Sequence, residues 1–130
     1  MILLDTDICV EILRGNRLVI ERRASITEDV AVCFMTVGEL FYGASKSAKQ
    51  VENRLLVEHL LLSMPVLESD YSIMHRFGEL KAIREKKGEK RSDADLLIAS
   101  VALIRCTRLI TGNIAHFENI PGLVIENWIR

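Results

Sequence analysis

Polar side chains stand beside short apolar segments at points that are far apart in this chain. Three of them follow strand-like segments: Asp5, Glu39 and Asn113. A fourth, Asp95, opens an apolar helical run. The three strand-like segments are Met1–Leu4, Val30–Met35 and Arg108–Thr111. In an open parallel sheet, ligands bind beyond the carboxyl ends of the strands. The pattern therefore predicts a fold that gathers these four residues in one crevice.

The alternation of strands and helices favours an α/β fold with a mainly parallel sheet, right-handed crossovers and helices on both faces. Hydrophobic residues make up 49% of the chain and aromatic residues only 5%, so the core must be aliphatic. A length of 130 residues fits one domain with its own core, and we expect residues 1–130 to form it. No linker, repeat or low-complexity tract indicates a second domain.

Helix and strand bounds follow from apolar spacing and from capping residues. The predicted strands are Met1–Leu4, Val30–Met35, Val66–Leu67, Arg108–Thr111 and Leu123–Ile125. The first predicted helix begins at Ile8 and ends before Gly15, the second covers Arg17–Ser25, and the third follows a cap at Thr36. Three more helices are predicted over residues 48–63, 69–87 and 96–104. Pro65 separates residues 48–63 from residues 69–87, and these two helices are expected to form a hairpin beside the sheet.

Acidic side chains that converge in one crevice indicate a divalent metal site. Carboxylates brought close together repel one another unless a cation compensates, and Mg²⁺ and Mn²⁺ prefer such hard oxygen ligands. Helix N-termini also attract phosphate oxygens. The chemistry suggested is metal-assisted hydrolysis of a phosphodiester. A purely structural interpretation stays open, because Asp5 could cap a helix, and Glu39 and Asp95 could be the third residues of capping boxes.

Four motifs resemble those of PIN-domain ribonucleases, and within them the VapC-type toxins of bacterial toxin–antitoxin pairs. The similarity runs nearly from end to end, through residues 3–7, 36–44, 93–99 and 109–117, with Ile-Pro-Gly-Leu at 120–123 behind them. The resemblance implies a three-layer α/β/α fold and Mg²⁺- or Mn²⁺-dependent endonucleolytic cleavage of RNA. It further implies a homodimer and a VapB-type antitoxin that blocks the site.

The resemblance also assigns site residues. Asp5, Glu39 and Asp95 match the acidic metal-site positions, and Thr6 and Thr111 match hydroxyls that orient the site. The fourth position, often Asp in this family, is Asn113 here, and an amide can still coordinate a metal or position water. Two further carboxylates, Asp7 and Asp93, could supply the missing charge or could simply cap helices.

Six basic residues precede the helix of Asp95, and four of them are candidates for holding RNA phosphates at the rim of the crevice: Lys86, Lys87, Lys90 and Arg91. The alternative is a solvated helix end that places cations favourably near its C-terminus. His116 lies three residues after Asn113 and could face the crevice, but a structural role is preferred for all three histidines. No paired Cys or His spacing indicates zinc.

Two other functions are compatible with an acidic crevice in this fold. A receiver-like phosphoacceptor domain needs an acceptor Asp after a central strand and a Lys after a late one, but Glu68 and Glu126 stand at the comparable places here. A binding module that has kept the fold but lost catalysis is the other alternative, and Asn113 makes it plausible. The sequence begins without a signal peptide, so a cytoplasmic location is expected.

Overall fold

Strands and helices alternate along the whole chain in the computed structural model, which describes residues 1–130. The strands are β1 (Ile2–Leu4), β2 (Val30–Cys33), β3 (Val66–Leu67), β4 (Leu109–Ile110) and β5 (Ile125–Glu126). The helices are α1 (Thr6–Leu13), α2 (Arg17–Ser25), α3 (Phe34–Ser45), α4 (Gln50–Leu61), α5 (Tyr71–Lys86), α6 (Asp93–Arg105) and α7 (Ile114–Phe117). No helix combines the length and the apolar character that crossing a membrane requires.

The strands form one five-stranded sheet in the order β3-β2-β1-β4-β5, and every neighbouring pair is parallel. β1 is central, with Leu3 paired to Ala31 on one side and to Leu109 on the other. The carboxyl ends of β1 and β4 therefore lie side by side. This places the residues that follow them, Asp5 and Thr111, next to each other at one edge.

Side chains alternate across the sheet and separate two cores. Ile2 and Leu4 pack on one face with the buried side chains of α1 to α4 and with Trp128. Leu3 packs on the other face with the buried side chains of α5 and α6, and with Phe117 of α7. Such a central strand is apolar at every position because both of its faces are covered. The predicted α/β/α arrangement with a parallel sheet is confirmed.

Two details of the predicted arrangement are wrong. The strand β2 ends at Cys33, and α3 begins at Phe34, so Thr36 does not cap this helix but lies buried within its first turn. The helices α4 and α5 do not form a hairpin. Val57 of α4 packs in the core of Ile2 and Leu4, whereas Ile73 of α5 packs in the opposite core, because β3 between them joins the sheet edge and carries the chain across it.

Candidate active site

Asp5 lies at the centre of the site, between the end of β1 and the beginning of α1. Its Oδ1 accepts a hydrogen bond from the backbone N of Thr6 at 2.8 Å, and its Oδ2 accepts one from Thr111 Oγ1 at 2.7 Å. The residue is only 5% exposed. Burial, and then the negative charges of Asp7 and Asp95, raise the pKa of Asp5 to about 7. Asp5 therefore caps α1 and also belongs to an acidic cluster, so the two interpretations are compatible.

Glu39 reaches the same edge of the sheet from the second turn of α3. Its Oε1 is 2.6 Å from Thr6 Oγ1, and Thr6 must donate because an ionised carboxylate only accepts. The Thr6 hydroxyl is also 3.0 Å from that of Thr36. Since α3 begins five residues before Glu39, this side chain is not part of a capping box. Glu39 instead faces the N-terminus of α1, where it contacts Thr6, the residue after Asp5.

Asp95 comes from the first turn of α6. Ser92 caps this helix through Oγ, which accepts a hydrogen bond from the backbone N of Asp95 at 3.1 Å. The carboxylate of Asp95 is thus not needed to begin the helix, and its Oδ2 lies 3.1 Å from Nδ1 of His116. Asp95 is close enough to Asp5 that its charge contributes to raising the pKa of Asp5. The charge of Asp95 therefore reaches Asp5 across the edge of the sheet.

Asp7 ties the loop after β4 to α1. Its Oδ2 accepts a hydrogen bond from the backbone N of Gly112 at 2.8 Å, while Oδ1 is buried and has no hydrogen-bond partner. Burial raises the pKa of Asp7. A Cβ at Gly112 would lie 2.8 Å from this carboxylate and 2.4 Å from Cδ1 of Ile129, so only glycine allows the close approach. Asp7 adds a half-buried negative charge next to Asp5.

Thr111 and Asn113 come from the segment after β4. The buried hydroxyl of Thr111 donates to Asp5 and accepts from the backbone N of Asn113 at 3.0 Å. This contact orients Asp5 and fixes the backbone of Asn113 beside it. The Asn113 side chain is exposed and does not cap α7. The structure thus gives Thr111 a direct contact with the acidic cluster and brings Asn113 there through its backbone.

Asp93 lies apart from the cluster. It is the first residue of α6, its side chain is 60% exposed, and its carboxylate pairs with Nζ of Lys81 on α5 at 3.1 Å. Ser92, not Asp93, provides the cap. Neither of the two roles considered for Asp93 from the sequence matches this placement.

The four basic candidates are divided by the structure. Lys86, Lys87 and Lys90 are exposed, and Lys90 lines an open cleft of about 500 Å³ that also contains Asp95 and His116. The Arg91 side chain is only 11% exposed. Its guanidinium donates to the backbone O of Ala115 at 2.5 Å and of Glu118 at 2.9 Å, and thereby holds α7. Lys90 at this cleft and the exposed Lys86 and Lys87 before it, but not Arg91, are accessible to a polyanion.

An apolar groove lies on the other side of Glu39, between α1, α3 and α4. Its volume is about 610 Å³, and it is lined mainly by apolar side chains, with Thr6 and Glu39 at one margin. Leu56 and Tyr42 on its walls are both more than half exposed, at 52% and 66%. The acidic cluster therefore stands between a polar cleft and an apolar groove.

The cluster suits a hard divalent cation in its donor atoms and in its charge. Every donor is a carboxylate oxygen. The negative charges of neighbouring carboxylates disfavour the ionised form of Asp5, and the buried Oδ1 of Asp7 has no hydrogen-bond partner. No three acidic, His or Cys side chains are spaced to enclose an ion by themselves. Mg²⁺ commonly keeps several waters and is held by one or two carboxylates together with substrate phosphate. An open, partly formed shell is compatible with that mode of binding.

Comparison with known proteins places this geometry in context. The family model of the PIN domain matches residues 2–123. The chain is 33% identical to Ribonuclease VapC2 of Rickettsia felis, with 97% of this chain and 96% of that protein covered. It is 32% identical to the tRNA(fMet)-specific endonuclease VapC of Salmonella typhimurium, with 97% and 96% covered. A chain in the crystal structure of VapBC2 from Rickettsia felis bound to a promoter DNA fragment superposes with a TM-score of 0.93 at 32% identity, over 98% of this chain and 99% of that chain.

Proposed function

Because the chain belongs to the PIN-domain family and, within it, to the VapC ribonucleases, we propose that it is a metal-dependent endoribonuclease and the toxin of a toxin–antitoxin pair. One observation carries the catalytic part of the proposal. Three acidic residues that are remote in sequence are linked at one edge of the sheet: Asp5 follows β1, Glu39 of α3 contacts Thr6 next to Asp5, and the charge of Asp95 of α6 reaches Asp5. Asp5 also caps α1, whereas neither Glu39 nor Asp95 caps a helix.

In this proposal Asp5, Glu39 and Asp95 hold Mg²⁺ or Mn²⁺. The bound ion would lower the pKa of a water molecule and offset charge on the phosphoryl oxygens as water attacks in line. Thr111 and Thr6 keep the carboxylates of Asp5 and Glu39 oriented through hydrogen bonds of 2.7 and 2.6 Å. Asp7 adds negative charge at the same edge. The exposed amide of Asn113 adds a polar group there that would position water.

RNA is the proposed substrate. The N-termini of α1 and α6 both point at the acidic edge, since Asp5 and Ser92 are their caps, and free N–H groups there favour phosphate oxygens. Lys90 in the cleft, with Lys86 and Lys87 beyond it, extends this attraction along a backbone. The Salmonella typhimurium relative is named a tRNA(fMet)-specific endonuclease, so initiator tRNA is the first RNA to test. Cleavage of such an RNA would inhibit translation.

A VapB-type antitoxin is the proposed protein partner. Several of the similar solved structures are VapBC complexes, among them those from Rickettsia felis and Salmonella typhimurium. The apolar groove between α1, α3 and α4 borders Glu39, so an apolar segment seated in it would end beside the acidic cluster. A partner bound there would prevent access of RNA to the site. We further propose, from the family resemblance, that the toxin is a homodimer, which light scattering of the purified protein would measure.

Cleavage assays with metal-site variants test the proposed activity. Purified protein is incubated with initiator tRNA and with total RNA, in EDTA or with added Mg²⁺ or Mn²⁺. Cleavage should require the metal and should be abolished in Asp5→Asn and in Asp95→Asn. Asp93→Asn is the matched control, because it makes the same chemical change on an exposed carboxylate outside the cluster and should leave cleavage unchanged.

Three results would contradict the proposal. Cleavage that continues in EDTA would exclude metal dependence, and cleavage by either site variant would exclude that residue from the metal site. RNA binding without any cleavage would favour a binding module that has kept only the fold. Sequencing of RNA ends after induction in cells identifies the RNA and the cleaved bond.

A further inference from the structure

His116 contacts a proposed metal ligand from outside the acidic cluster. Its Nδ1 lies 3.1 Å from Oδ2 of Asp95, and the imidazole is 56% exposed in the open cleft. A carboxylate at the first turn of a helix can rotate about its Cβ–Cγ bond. An N–H donor on one oxygen fixes that rotation and leaves the other oxygen free for a ligand. The geometry is that of a histidine that orients a carboxylate.

The segment that carries His116 has little stability of its own. Helix α7 covers only four residues and has no side-chain cap. A single helical turn is unfavourable in isolation, because many dihedral angles are fixed for few hydrogen bonds. Phe117 anchors one side of the turn in the core, but the imidazole is more than half exposed and its ring is tilted to that of Phe117 at a centroid distance of 6.4 Å. Its position must be set by contacts to the backbone around it.

Two arginines make those contacts. Arg91 donates to the backbone O of Ala115 and of Glu118, on either side of His116. Arg84, which is buried, donates to the backbone O of Asn119 and pairs with Glu89 at 2.5 Å. Each guanidinium donates to two of these four oxygens, all of which can only accept. The turn is fastened to α5 and to the start of α6, the helix that carries Asp95.

We propose that His116 is a positioning residue for the metal site, which donates from Nδ1 to Asp95, and that Arg91 and Arg84 hold it in place. The inference rests on the proposed function, since Asp95 is taken as a metal ligand. It assigns His116 no contact with substrate. It also explains why Arg91 is turned away from solvent within an otherwise exposed basic stretch.

Two amide variants test which ring nitrogen matters. Asn carries its amide nitrogen near the place of Nδ1, whereas Gln carries it near the place of Nε2. In calorimetric titrations with Mn²⁺ alone, His116→Asn should retain the affinity of the wild-type protein. His116→Gln and His116→Ala should each lose roughly tenfold, as expected when a partner of a metal ligand is removed. Thermal melts without metal show that the variants are folded.

A double-mutant cycle tests the role of Arg91. Arg91→Lys can reach only one of the two backbone oxygens and should weaken Mn²⁺ binding several-fold. If Arg91 acts through His116, the double variant Arg91→Lys/His116→Ala should bind no more weakly than His116→Ala alone. Arg105→Lys is the matched control, because Arg105 pairs with Asp70 at the opposite end of α6.

The results that overturn the inference differ from those that overturn the proposed function. If the wild-type protein and all His116 variants bind Mn²⁺ equally, His116 does not position Asp95, although the metal site stands. If Gln preserves binding and Asn does not, the other nitrogen is the one in use and the inference is wrong. If the wild-type protein binds no Mn²⁺, both the metal site and the inference fail.

Discussion

Asp5→Asn should stabilise the metal-free protein at high pH, because it removes a buried charge while it keeps the shape of the side chain. Oδ1 of Asp5 accepts from the backbone N of Thr6, and Asn is an equally good helix cap. The amide nitrogen would then face Thr111 Oγ1, which can accept a hydrogen bond. The substitution therefore preserves both contacts, and its main effect is electrostatic.

The sign follows from the pKa of Asp5 in the two states. The pKa is raised in the folded state from 3.8 to about 7, so between these values the folded protein keeps a proton that the unfolded chain has released. The free energy of unfolding therefore decreases as pH rises through this interval. One pKa unit corresponds to ~1.4 kcal/mol, so a rise of roughly three pKa units corresponds to about 4 kcal/mol. Since Asp5 and Asp7 titrate together, we expect Asn to gain about 2–4 kcal/mol at pH 8 and almost nothing at pH 4.

Urea denaturation followed by circular dichroism, in EDTA at pH 4, 6 and 8, measures this difference. Asp93→Asn is the control for a carboxylate lost at a helix N-terminus, and it should change stability by less than about 1 kcal/mol at every pH. Added Mn²⁺ should stabilise the wild-type protein and not Asp5→Asn. A loss of stability in Asp5→Asn at pH 8, or a gain that does not vary with pH, would refute the electrostatic argument.

Three further predictions concern the surroundings of the site. Asn113→Asp should tighten Mn²⁺ binding in calorimetry and lower the metal-free melting temperature through repulsion, and indifference in both measurements would place Asn113 outside the site. Gly112→Ala should destabilise the fold by about 1–3 kcal/mol in urea, because its Cβ has no room, and a neutral result would mean that the C-terminal segment can move aside. Replacing the three exposed lysines, Lys86, Lys87 and Lys90, by alanine should weaken RNA binding by the metal-free protein and flatten its salt dependence. An unchanged slope of affinity against salt would mean that these lysines are only solvated side chains.

The sequence by itself determined the layers and the acidic set. Short apolar segments that alternate with helical ones require a parallel sheet covered on both faces, and polar residues after β1 and β4 must then share an edge. This is why Asp5 and Asn113 could be assigned to one edge from the pattern. These features depend on local spacing, which a single sequence displays directly.

Only the tertiary structure decided which neighbours the site residues have. The cap predicted at Thr36 failed because β2 stops at Cys33, a length set by pairing with β3 and not by apolar character. The hairpin failed because the side of the sheet on which a helix packs depends on the crossover. In the sequence Arg91 is one of six basic residues that nothing distinguishes, and only the fold shows that it binds a backbone oxygen of α7. The contact between His116 and Asp95 joins residues 21 positions apart, on two different helices with a strand between them, and no periodicity encodes such a contact.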